Sequence, residues 1–141
     1  MNSTTALTAS SFLSILFMTI HLTDDILFKM SPPGLANLFA VFILFVWLYG
    51  TLALPGRRSG YIIMFVGALL GLMVPVIHMK GTAGLVGGEI GRSGQAFFFV
   101  WTLLALGVTA MFSLVLSARA LWSMPWRRDG SAADAVRSGP S

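Results

Sequence analysis

Two histidines and a pair of adjacent aspartates are the residues here that could do chemistry in an apolar setting. His21-Leu22-Thr23-Asp24-Asp25 lies toward the end of the first long apolar run, and His78 at the end of a later one. Imidazole nitrogen combined with carboxylate oxygen suits zinc, copper, manganese or non-haem iron. His21 and Asp25 stand four residues apart, so one helix face can aim both at a single ion. His78 from another helix, with Asp24 and Glu89 as further oxygen donors, would complete the shell. A carboxylate can also act one step out, by orienting an imidazole. Met30 and Met79 add modest support for copper, although the eight methionines of a membrane chain serve mostly as packing. Haem clamped between the two imidazoles ranks below a metal ion, because it leaves two carboxylates without a task.

Each of these residues also has an ordinary structural reading. His21 and Asp25 can form a helix ion pair while Asp24 faces water, and His78 can end its helix among lipid headgroups. No His-Glu-x-x-His spacing strengthens the metal reading. What favours it is shared depth within the membrane, where ionisable groups usually have a partner or a function.

The elements that must position these residues are membrane helices. Of the 141 residues, 56% are hydrophobic and 10% charged, and the mean hydropathy is +0.84. Several apolar runs are each about 20 residues long, enough to span a hydrocarbon core of about 30 Å. The expectation is an all-α integral membrane protein, with four transmembrane helices in an up-down antiparallel bundle. The spans are expected at about 7–28, 34–54, 61–79 and 96–118, within a membrane domain covering 1–122. The polar tail 123–141 is expected to be disordered. No Lys or Arg precedes the first run, which favours a retained span over a cleaved leader.

Turn chemistry separates the spans. Pro32-Pro33-Gly34 and Pro55-Gly56-Arg57-Arg58 stop one helix and start the next. Gly81, Gly84, Gly87, Gly88, Gly91 and Gly94 fall in the connection 80–95, which reads as a compact lid over the outer end of the bundle. Gly67-x-x-x-Gly71 suits close approach of helix backbones, and Pro75 is expected to kink the third span. Ala105, Thr109, Ser113 and Ser117 read as a small-residue packing stripe, and Phe97-Phe98-Phe99 with Trp101 as an interfacial aromatic belt. Trp47, Tyr49 and Tyr61 read as packing or interface residues.

At about 100° per residue, His21, Asp25 and Ser14 fall within about 40° of one another. Ser10 lies near the same line, Asp24 is offset, and Thr23 points away. This single polar stripe should face the bundle interior. His78 projects within about 20° of Gly71, on the close-packing face. Asn37 at the start of the second span could join the group.

Charge sets the orientation. With four spans, Arg57, Arg58, Arg119, Arg127, Arg128 and Arg137 share a side with both termini, against Lys29, Lys80 and Arg92 on the other. The positive-inside rule then places both termini in the cytoplasm and the chain in the inner membrane. The formal net charge of +4 does not indicate nucleic acid, because the basic residues cluster at segment ends and in the tail. With no cysteine, disulfides, thiol redox chemistry and thiolate metal sites are excluded.

The expected partners are the lipid bilayer and either further copies of the chain or a larger membrane complex. The leading function is a binding protein or complex subunit with an outward-facing His/Asp site for a metal ion or protons. A small dimeric proton-coupled transporter and a metal-dependent membrane enzyme are the alternatives. A carrier's coupling carboxylate normally lies near the midplane, which counts against transport.

Overall fold

The computed structural model describes residues 2–27, 34–78 and 96–124. The described residues form four helices: α1 (Ser3–Leu27), α2 (Leu35–Leu52), α3 (Arg58–His78) and α4 (Ala96–Ser123). Three are long and apolar enough to cross a membrane, while the apolar stretch of α2, Asn37–Leu52, is shorter. The Gly-rich connection, Glu89, the two methionines beside the site and the tail from 125 onward lie outside the described residues.

Helix ends depart from the apolar runs by a few residues. α1 begins ahead of its apolar stretch, and the Ala6 N–H donates to the Asn2 carbonyl at 3.1 Å. Asn2 is a favoured residue type for this boundary. α2 stops at Leu52, with the Ala53 N–H bonded to the Tyr49 carbonyl at 2.8 Å. The hairpin to α3 then turns through Gly56 at φ 79°, a left-handed conformation that favours glycine. α3 begins at Arg58 and continues through Pro75, and α4 extends past its expected end to Ser123.

The bundle is a ring in the order α1, α4, α3, α2, with α2 packed on α3 and α1. Neighbours run antiparallel. His21 near the end of α1 touches Phe99 near the start of α4. Ser11 near the start of α1 touches Trp47 and Thr51 near the end of α2. The α1 seam buries Leu7, Ser11, Ser14, His21 and Asp25, steps of three, four or seven residues that keep a stripe on one face. The polar stripe expected on α1 therefore does face inward, and Thr23 faces out.

Two expectations need correction. The Gly67-x-x-x-Gly71 pair does not serve bare backbone contact. A Cβ on Gly67 would overlap the indole of Trp47, and one on Gly71 would meet the same ring at 3.2 Å. The glycines make room for a tryptophan that is 1% exposed. The stripe on α4 is also displaced. Its buried seam is Phe99, Thr102, Leu103, Leu106, Ala110, Ser113 and Ser117, with Ala105 and Thr109 only half-buried. A strict four-residue repeat drifts by about 40° each step, so four such residues cannot share one face of a straight helix.

Trp47 also closes a ring of hydrogen bonds near the end of the bundle where α1 begins. Its Nε1–H donates to Ser11 Oγ at 2.9 Å, and Ser11 lies 2.8 Å from Thr51 Oγ1. Thr51 donates to the Trp47 carbonyl at 2.8 Å, which leaves Ser11 as the donor to Thr51. Every polar atom in the ring is thereby satisfied without water.

Gly67→Ala should destabilise the detergent-solubilised protein by about 1–3 kcal/mol, the usual cost of overpacking. Gly107→Ala adds a methyl that meets Pro75 at 3.4 Å, ordinary contact, and should change stability by less than about 0.5 kcal/mol. Thermal melts followed by circular dichroism separate the two.

Candidate metal centre

The last two turns of α1 and the end of α3 converge beside the first turn of α4. α1 and α3 sit diagonally across the ring, and His21 meets His78 there with ring centroids 4.7 Å apart and planes at 87°. Pro75 does not rotate His78 away from this face. Phe99 packs against both imidazoles, with centroids 4.9 Å from His21 and 5.7 Å from His78. Phe99 is 2% exposed, so it forms a dry wall behind the two rings.

Asp25 completes the group. Its Oδ2 lies 3.7 Å from His21 Nε2 and 3.6 Å from His78 Nε2. One ligand atom from each of the three residues lies within 4.8 Å of the others. The two short edges are too long for hydrogen bonds. A charge-assisted N–H···O⁻ bond closes to about 2.7–2.9 Å. Here the carboxylate stands almost equally far from both nitrogens and bonds to neither.

The surrounding atoms do not relieve this. Both ring nitrogens of His21 and Oδ1 of Asp25 are buried without a hydrogen-bond partner. His78 is fixed differently. Its Nδ1 lies 3.0 Å from the Val74 carbonyl, which can only accept, so the proton sits on Nδ1. In the neutral ring the Nε2 lone pair then faces Asp25. Fixing one imidazole nitrogen by a backbone carbonyl and freeing the other is the usual arrangement behind a metal-bound histidine.

Of the residues expected at the site, the structure brings together His21, Asp25 and His78. Asp24 is buried beside them, with Oδ2 unpartnered, but does not join that group. It is not the water-facing residue of the structural reading. Among the described residues, no hydrogen bond or ion pair ties Asn37 to the three. Glu89 lies outside the described residues. Phe99 is the member that sequence reasoning missed, because it was grouped with the outward Phe97 and Phe98. A signal was available: Phe99, Leu103, Leu106, Ala110, Ser113 and Ser117 recur every three or four residues.

Comparison with family models, with curated proteins and with solved structures finds no match for this chain. The class of protein rests on the chain itself: an all-helical protein with apolar, membrane-length helices and a close His/Asp/His group.

Unpartnered buried polar atoms lower the stability of the metal-free protein. Apolar replacement of such a group is often neutral or stabilising. The double variant His21→Leu/Asp25→Leu should therefore match or exceed the wild type in chelator, by up to about 3 kcal/mol. A clear loss of stability in the same melt would instead mark the pair as holding the fold together.

Proposed function

We propose that this chain is an integral membrane metal-binding protein in which His21, Asp25 and His78 hold one divalent transition-metal ion. All four helices span the inner membrane, both termini are cytoplasmic, and the site lies near the outer face. The observation that carries this reading is the spacing around Asp25 Oδ2, 3.6 and 3.7 Å from two imidazole nitrogens that it does not bond. Ligands about 2.1 Å from a tetrahedral ion stand about 3.4 Å apart. The group matches that spacing to within a few tenths of an ångström on two edges.

Zinc suits the donors best. It accepts mixed nitrogen and oxygen ligands in a four-coordinate shell, whereas manganese commonly takes six, mainly oxygen. Copper and iron remain chemically compatible with imidazole. Haem fits poorly, because a bis-imidazole clamp needs a flat macrocycle between the rings. Here they touch edge to face at 4.7 Å.

Depth favours binding over transport. Counting along α1 from its middle residue, Ile15, Asp25 lies about 15 Å along the axis, near the edge of a 30 Å core. Neither the transporter nor the metal-enzyme reading has an observation of comparable weight behind it.

Purified protein stripped with chelator should take up one zinc ion per chain in calorimetry. At a hundredfold excess over the dissociation constant, it should gain about 2.7 kcal/mol of stability. His21→Ala, His78→Ala and Asp25→Ala should each abolish the uptake. Absence of uptake by the wild type, or uptake unchanged in all three variants, rejects the proposal.

Orientation has a separate check. The chain has no cysteine, so a single introduced one reports cleanly. A cysteine replacing Ser59 should react with membrane-impermeant maleimide only after the membrane is opened. Labelling in intact cells would reverse the topology.

A further inference from the structure

Charge is divided sharply between the two ends of the described bundle. The described acidic residues are Asp24 and Asp25, both in the last turn of α1. The described Lys or Arg residues are Arg57, Arg58 and Arg119, all toward the opposite end. Arg57 lies in the α2–α3 hairpin and is exposed.

A groove of about 280 Å³ runs between the same two helices. Its lining includes Phe42, Val46, Ile62, Val66 and Leu70, together with Trp47 and Gly67. The lining is wholly apolar apart from backbone and the indole N–H, which Ser11 already accepts. Gly67 seats the indole, since any side chain there would displace it.

Length and position identify what fits. Ile62 lies four residues beyond Arg58, about one helical turn. Leu70 lies twelve residues beyond it, about 18 Å along the axis. The groove therefore begins just inside the basic rim and ends near the membrane midplane, since half the hydrocarbon core is about 15 Å. It is a one-leaflet groove with a cation at its mouth.

We propose that the α2–α3 groove is a binding site for an anionic phospholipid of the leaflet that Arg57 faces. One acyl chain lies along Phe42, Val46, Ile62, Val66 and Leu70, over the buried Trp47, and the phosphate sits beside Arg57. The apolar walls alone would accept any acyl chain. Arg57 supplies the preference for an anionic headgroup. This site is separate from the metal centre, which occupies the other end of the bundle.

Trp47 provides a direct readout. In a variant carrying Trp101→Phe, Trp122→Phe and Trp126→Phe, Trp47 is the sole tryptophan. In mixed micelles, brominated phosphatidylglycerol should quench it at a mole fraction about fivefold below that needed for brominated phosphatidylcholine, the preference expected of one basic residue at a membrane surface. Arg57→Gln should bring the two lipids together. Val66→Phe, which fills the groove, should weaken quenching by both, whereas Val108→Phe on the exposed face of α4 should not. Free inorganic phosphate should not compete at the lipid's concentration. Equal quenching by the two headgroups, or a preference that survives Arg57→Gln, overturns the proposal. A folded Val66→Phe variant that quenches like the wild type also overturns it. Metal uptake, measured on the same preparations, is unaffected by any of these outcomes.

Discussion

Placing an imidazole and two carboxylates inside an apolar bundle is costly, and the end of this protein where α1 finishes is shaped by that cost. A buried ion without a partner loses several kcal/mol of hydration. The chain could have relieved this with short hydrogen bonds. Near the start of α1 it does so, where Trp47, Ser11 and Thr51 close a ring with every polar atom engaged. At the opposite end it does not. His21 has two unpartnered nitrogens, and Asp25 stands off from both imidazoles. The two ends obey the same physics and reach opposite results. A cation between the three residues removes the discrepancy.

Gly71, Leu106 and Ala110 pack together about two to three turns farther along the bundle from the histidines. Phe99 covers the rings from the side of α4. The more open member of the group is His78. His21 and Asp25 are deep, whereas His78 is partly exposed. The α1–α3 contact is diagonal across the ring, so an ion there would tie together two helices that otherwise share little surface.

Much of this was legible in the sequence, for identifiable reasons. Membrane character follows from run length and composition, which depend on no tertiary detail. The inward polar stripe of α1 follows from helical period, because His21, Asp25 and Ser14 hold one face whatever surrounds them. The pairing of His21 with His78 needed only equal depth and inward facing. The remainder depends on which helix lies next to which. Gly67 receives an indole because Trp47 of α2 arrives opposite it, and no local pattern on α3 announces that. Phe99 was hidden by its two outward neighbours. Asp24 was read as a further oxygen donor; it is buried, but its offset from the His21–Asp25 line keeps it outside the group of three.

The central claim is that two imidazoles and one carboxylate share an ion at the outer end of the bundle. X-ray absorption spectroscopy of zinc-loaded protein tests it most directly. The account predicts a shell at about 2.0–2.1 Å with the multiple-scattering pattern of two imidazoles, lost to one in His78→Ala. A shell of oxygen alone, or a spectrum that keeps both imidazoles in that variant, would contradict it.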